Sequence, residues 1–278
     1  MWAHPALQRN LESLAKSGVT VIAPATGDTA CGEVGEGRLE DTHIIAEQVS
    51  EKLKKTDITN ALNGRHILIT SGPTIEPIDP VRFIANRSSG KQGHALAAEA
   101  LKRGARVTLV SGPVNEPAPE GVNLVSIETA EQMKQACEAA LPADAAICAA
   151  AVADWHVVGR STKKHKKNRH GPPLIELAPN PDILEGLSHH NKRPSLVAGF
   201  AAETDNLIES AREKHHRKGC DWIIANHISA DQTDSVFGAD RNQVLFMTSN
   251  TCEEWPDLQK SEVAARIIDR MEDWFEQH

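Results

Sequence analysis

Apolar positions along the chain switch period in a repeating order. Short, nearly continuous apolar runs predict strands buried on both faces at 66–71, 106–111, 145–149, 195–200 and 221–225. Between them the apolar residues recur at helical spacing, as in Ala95, Leu96, Ala98 and Leu101. That spacing predicts helices over 91–103, 129–141, 181–188 and 205–218. Gln243 to Thr248 reads as one more strand and Lys260 to Glu276 as a closing helix. Strands alternating with helices imply an α/β fold. Right-handed crossovers then give a Rossmann-like open, mainly parallel sheet with helices on both faces.

The first 55 residues are patterned differently. Ala6 to Lys16 has one apolar helical face, and Val19 to Pro24 reads as a short buried strand. Gly27 to Gly37, with four glycines, reads as a loop, and Asp41 to Lys55 as a second helix. Two helices and one strand cannot close a core of their own, so this part should pack on something or remain exposed. The polar stretch 56–65, with the turn signal Asn63-Gly64, is read as a linker. The expected organisation is therefore a small part at 1–55, the linker, and an α/β domain at 66–278.

Composition narrows the class. A net charge of −8 over 278 residues argues against general nucleic-acid binding. No apolar run approaches the ~20 residues of a membrane span, and the start has no basic-then-apolar leader pattern. The five cysteines are scattered, without a CxxC pair, which suggests neither a disulfide framework nor a zinc site. A reduced, cytoplasmic protein is expected.

Candidate chemistry gathers where the predicted strands end. Ser88-Ser-Gly-Lys-Gln-Gly93 opens a helix after an unusually long loop. Backbone N–H groups there attract phosphate, although a tight strand-to-helix turn also needs glycine. An NAD site would show Asp or Glu after the second strand, but Val110 is followed by Ser111-Gly-Pro; the P-loop signature GxxxxGK[ST] is also missing. Ala149-Ala-Ala-Val-Ala-Asp154 runs small residues out to a carboxylate. Asp154 suits ribose hydroxyls or a metal, or equally a helix N-cap. Lys163 to His170 is a dense basic run in an acidic chain, either solvated or placed to neutralise phosphate charge. Asn180-Pro-Asp-Ile183 reads as a helix start with Asn180 as its cap. Phe200 is either a base-stacking ring or a core residue. Lys214 and Lys218 form an i,i+4 pair whose like charges repel unless solvent or an anion separates them.

Taken in order along residues 65–275, these segments resemble the phosphopantothenoylcysteine synthetase domain of the bacterial bifunctional coenzyme A biosynthesis protein. The resemblance rests on Gly72-Pro-Thr, Asp79-Pro-Val-Arg-Phe-Ile-Ala-Asn86-Arg-Ser-Ser-Gly-Lys-Gln-Gly93, Ala149 to Asp154, Lys164-His-Lys-Lys167, Asn180-Pro-Asp and Gly199-Phe-Ala-Ala-Glu-Thr204. It implies CTP-dependent ligation of 4'-phosphopantothenate with L-cysteine through an acyl-cytidylate, releasing pyrophosphate and then CMP. It also implies assistance by Mg2+ or a similar divalent cation, whose ligands the sequence leaves unassigned, and a homodimer. Carried over by position, Asn86 and Lys164 would be catalytic. Ser88, Gly90, Gly93, Cys148, Ala149, Ala150, Asp154, Lys164, Asp182, Ile183, Phe200, Lys214 and Lys218 would bind the nucleotide. Asn86, Ala150, Ala151 and Asn226 would meet the acyl substrate. His165 stands where the family often has an apolar residue, with the lysine spacing intact.

Residues 1–50 resemble the end of the partner domain, the flavoprotein phosphopantothenoylcysteine decarboxylase, through Met-Trp-x-His-Pro-Ala and Ala30-Cys-Gly-Glu-Val-Gly-Glu-Gly-Arg38. Cys31 is the counterpart of that family's reactive cysteine. Its catalytic histidine and flavin-binding motifs have no counterpart in the chain, so neither FMN nor decarboxylation is expected. Two rivals stand beside the ligase. An NAD(P) oxidoreductase lacks its ribose acid and, with no tyrosine anywhere, a Tyr-xxx-Lys relay. A non-catalytic regulatory or scaffold protein of the same family is opposed by the intact Asn86, Asp154 and Lys164.

Overall fold

The computed structural model describes residues 2, 4–16, 19–28, 34–54, 60–164, 174–203, 206–227 and 239–278. The chain divides into two compact units, Met1–Ile58 and Thr59–His278.

In the first unit, helix α1 (Pro5–Lys16) is followed by paired strands β1 (Ala25–Asp28) and β2 (Val34–Arg38) and by helix α2 (Thr42–Lys54). Both helices match the apolar spacing. The strand expected at Val19–Pro24 is not formed, and Val19 and Val21 are exposed. The pairing lies instead in the glycine-rich stretch read as a loop, where β1 and β2 run antiparallel. Backbone pairing needs no apolar run, which is why the pattern missed it. Among the described residues of this unit none is buried, and Leu14, Ile44 and Val49 are exposed. Cys31 lies outside the described residues.

The second unit begins with a short 3-10 turn whose Leu62, inside the stretch read as a linker, is fully buried. Its elements follow in order: β3 (His66–Ser71), β4 (Ile75–Pro77), β5 (Phe83–Ala85), α3 (Lys91–Lys102), β6 (Arg106–Ser111), β7 (Asn123–Ser126), α4 (Ala130–Ala139) and β8 (Ala145–Cys148). Then come β9 (Trp155–Val157), β10 (Leu177–Pro179), α5 (Ile183–Ser188), β11 (Leu196–Glu203), α6 (Leu207–Lys218) and β12 (Trp222–His227). The last are β13 (Arg241–Asn242), β14 (Val244–Met247), β15 (Cys252–Glu254), β16 (Leu258–Gln259) and α7 (Lys260–Gln277).

Eight strands form the central sheet in the order β15-β14-β12-β11-β8-β3-β6-β7. The six from β12 to β7 are parallel, and β14 and β15 extend one edge antiparallel. The expected mainly parallel, Rossmann-like sheet is thus present. Strand residues alternate between two cores. Ile67, Ile69, Val107 and Ile147 join Leu96 of α3 and Ile267 and Met271 of α7. Leu68, Ala146, Val197 and Ile223 join Met133 of α4, Leu184 of α5 and Ala211 of α6. Such alternation places the two clusters on opposite faces. Burying a Leu or Ile side chain contributes about 1.5–3 kcal/mol, so both faces hold the sheet between helices. Helix α4 starts at a capping box between Thr129 and Gln132, and buried Glu76 accepts from the Ala130 N–H at 2.8 Å.

The parallel part of this order reverses between β3 and β8. The chain runs outward from β3 through β6 to β7, then returns to the other side of β3. A crevice outside the strand carboxyl ends is expected at such a switch point.

Candidate active site at the carboxyl edge of the sheet

The crevice is built by the loops that leave β3, β8 and β11. After β3 the chain turns at Gly72, makes the β4–β5 ribbon and returns through Asn86 to the α3 N-terminus. Gly90 caps α3 in a left-handed conformation, φ 75°, that favours glycine. A Cβ on Gly93 would overlap the Ser71 side chain, so this glycine lets α3 close onto β3. Beneath it, the Ser71 hydroxyl donates to the Gly90 carbonyl at 3.0 Å and lies 3.1 Å from buried His94 Nδ1.

The segment after β8 is fixed to β3 and to this loop through its own backbone N–H groups. Ala150 N–H donates to Thr70 Oγ1 at 3.2 Å, Ala151 N–H to the Gly72 carbonyl at 2.9 Å, and Ala153 N–H to Thr74 Oγ1 at 2.9 Å. The Asn86 amide donates to the Val152 carbonyl and the Asn180 amide to the Ala153 carbonyl, each at 2.8 Å. Asn86 and Asp154 remain exposed to the crevice. Asp154 stands at no helix start, which removes its alternative as an N-cap. The cap of α5 is also not Asn180. Asp182 caps it, accepting from the Glu185 N–H at 2.9 Å, and Pro181 precedes the cap rather than following it.

Two adjoining cavities result, of about 460 and about 200 Å³. The larger is lined by Asn86, Ser88, Gly90, Gly93, Ala149, Ala150, Ala151, Asp154, Phe200, Lys214 and Asn226. The smaller adds Cys148, Asp182, Ile183 and Lys218, and shares Ala150, Asp154, Phe200 and Lys214 with the first. Every candidate residue but one therefore lines the same crevice. The exception is Lys164, which is exposed and lines neither cavity; His165 to Lys167 lie outside the described residues. Asn226 sits inside β12 rather than after it, opposite Ala202 and Val244.

The two α6 lysines differ. Lys218 is buried and donates to Asp182 and, at 3.1 Å, to Glu185. Burial opposes its charge, but those two carboxylates hold its pKa above the ordinary lysine value. Lys214 has no ion pair among the described residues. Burial pushes its pKa down, and Glu203 and Asp182 only partly offset this. Burial likewise pushes the Cys148 thiol well up, so it shapes the cavity as a neutral group.

Sequence reasoning singled out none of three polar lining residues that bring charge or an amide to the crevice. Lys91 sits inside the glycine-rich motif and pairs with Asp240 at 2.6 Å. Lys260, first residue of α7, and Asn242, on β13, come from the far end of the chain, where no motif marks them.

Fold and crevice define a doubly wound α/β protein with a polar ligand site at its topological switch point. Residues 62–275 match the family model described as the DNA/pantothenate metabolism flavoprotein C-terminal domain, DFP, and the chain belongs to that family. It is 43% identical over 272 residues to a cysteine/cysteine sulfinic acid decarboxylase of an unknown prokaryotic organism, covering 96% of this chain and 75% of that one. It is 38% identical to the coenzyme A biosynthesis bifunctional protein CoaBC of Borreliella burgdorferi, covering 96% and 67%. Among solved structures, the C-terminal domain of a CoaBC protein matches with a TM-score of 0.66 and 38% identity, over 79% of this chain and all of that one. The chain spans about two thirds of the length of the bifunctional proteins it matches.

Proposed function

We propose that the second unit is a phosphopantothenate–cysteine ligase of coenzyme A biosynthesis that uses CTP. Membership of the DFP family supports the reaction class, as does the similarity to CoaBC proteins. The observation that carries the reading is the convergence of the candidate residues, scattered from Asn86 to Asn226, on one crevice.

The nucleotide base sits in the smaller cavity against Phe200, with Cys148, Asp182 and Ile183 around it. Its phosphates run toward Ser88, Gly90 and Gly93, where α3 N–H groups and Lys214 meet their charge. Asn86, Ala150 and Ala151 orient the pantothenate carboxylate at the α-phosphate, and Asn226 borders the same space. Lys164, the first lysine of the Lys164-His-Lys-Lys167 motif, neutralises charge as pyrophosphate departs. Holding the reactants in line is the main contribution of such a site.

Among the described residues no three His, Cys, Asp or Glu side chains cluster as a metal site. Mg2+ takes one or two carboxylates plus substrate phosphates. Asp154, the exposed carboxylate lining both cavities, would hold it, and the ion would polarise the phosphate oxygens.

Residues 1–55 lie outside the matched family domain. Alignment with bifunctional proteins over 96% of the chain includes most of them. This supports reading them as the end of a decarboxylase domain. The test of the ligase is pyrophosphate release from CTP with 4'-phosphopantothenate, with Lys164→Gln as the control. That variant should lose about 100-fold of the rate with an unchanged circular dichroism spectrum. Near-normal turnover would remove Lys164 from the mechanism.

A further inference from the structure

Lys260 opens α7 and lines the larger cavity at the end where the glycine-rich loop enters α3. Its backbone is fixed on both sides. The Lys260 N–H donates to the Asp240 carbonyl at 2.7 Å, and its carbonyl accepts from Gln92 Nε2 at 3.2 Å. Asp240 is already engaged by Lys91 at 2.6 Å. Lys260 has no ion pair of its own among the described residues. Burial disfavours its charge, and the neighbouring Lys91 does so further.

Two lysines thus stand at the first residues of two helices, α3 and α7, where each helix dipole is positive. Asp240 faces both, and Glu116 also acts on Lys91, so the charge of Lys91 is favoured; that of Lys260 is left disfavoured by burial and by Lys91. A multiply charged anion in the cavity would reverse the sign. Lys214, the other unpaired lysine of the cavity, is shared with the smaller cavity at the Phe200 side.

We infer that Lys260 is a further binding residue of this site: with Lys91 it holds the terminal two phosphates of the nucleoside triphosphate, which leave as pyrophosphate. The inference rests on the ligase reading. In the first half-reaction a carboxylate oxygen bonds to the α-phosphorus. The bond from that phosphorus to its bridging oxygen breaks, and pyrophosphate takes the electron pair. Charge on the bridging oxygen grows in the transition state, so a fixed ammonium at the leaving group lowers the barrier. Lys260 comes from the last helix, about 170 residues beyond the glycine-rich loop that it completes.

The direct experiment is calorimetric titration of inorganic pyrophosphate into the full chain and into Lys260→Gln, which needs no turnover. Affinity should fall about tenfold in the variant and be largely restored in Lys260→Arg. In steady state, Lys260→Gln should lower kcat with CTP and weaken product inhibition by pyrophosphate, with the KM for 4'-phosphopantothenate unchanged. Equal pyrophosphate affinity in folded wild type and variant would overturn the inference. So would a defect confined to the KM for 4'-phosphopantothenate, which would assign Lys260 to that substrate's phosphate. Absence of turnover in the wild type, with pyrophosphate binding still dependent on Lys260, would count against the ligase reading and leave the anion site standing.

Discussion

Single residues decide the electrostatics of the crevice. Lys214 and Lys218 lie one turn apart on α6, yet their folded surroundings push their pKa values in opposite directions. The native state disfavours the charge of Lys214, so the unfolded chain binds more protons there. Its contribution to stability therefore rises with pH from its lowered pKa up to the ordinary value of 10.5. Lys218 has the opposite sign, with its stabilisation complete below 10.5 and lost above its raised pKa. At neutral pH without ligand, Lys214→Met should raise Tm by roughly 2–4 °C, the effect of about 1 kcal/mol in a domain of this size. Lys218→Met, which leaves Asp182 and Glu185 without their cation, should lower it by a similar amount. Calorimetric melts read both, and two shifts of the same sign would refute this distinction. The sequence shows only an i,i+4 lysine pair. What separates the two is the direct bonding of Lys218 to Asp182, the cap of α5, and to Glu185, and that needs the fold.

At the scale of elements, strands and helices with strong apolar patterns were legible. All five expected parallel strands and all four expected helices between them are present, two of the strands with the expected bounds and the other ends displaced by at most three residues. The exposed elements were not legible. Strand β7 has no buried residue, and the three-residue ribbons β4–β5 and β9–β10 are too short to show a period. The ribbons are nonetheless what carry the chain around the crevice. Gly93 shows how local packing sets the site. Its motif suggests close approach of phosphate, while the structure also gives it a packing role against Ser71. Gly93→Ala should cost about 1–3 kcal/mol, because α3 must move off β3 or Ser71 must leave its contacts with Gly90 and His94. Urea unfolding measures this; a change below about 0.5 kcal/mol would show that α3 tolerates the shift.

For the molecule as a whole, the fold class and most of the crevice could be read from sequence, because loops after parallel strands converge on one edge. Lys260 and Asn242 could not, since nothing local marks residues that return to that edge from the end of the chain. The two ribbons adjoin through β4 and β9, and Val81 in the first ribbon's turn, Phe83, Trp155 and Leu177 are exposed, at 58%, 57%, 54% and 45%. Exposed large apolar side chains on adjoining ribbons suit a protein interface. We propose that they pair two copies of the chain in the homodimer expected of this family. Phe83→Asp combined with Val81→Asp should weaken dimerisation at least tenfold by light scattering, and an unchanged dimer would place the interface elsewhere. None of the described helices is long and apolar enough to cross a membrane.

The central claim is two-step ligation, and it is tested most directly by pyrophosphate release from CTP with magnesium and 4'-phosphopantothenate, with and without cysteine, and with ATP in parallel. The account predicts release that requires 4'-phosphopantothenate, rises with cysteine and is faster with CTP than with ATP. No release with either nucleotide, from protein shown to be folded, would contradict it and favour a non-catalytic member of the family.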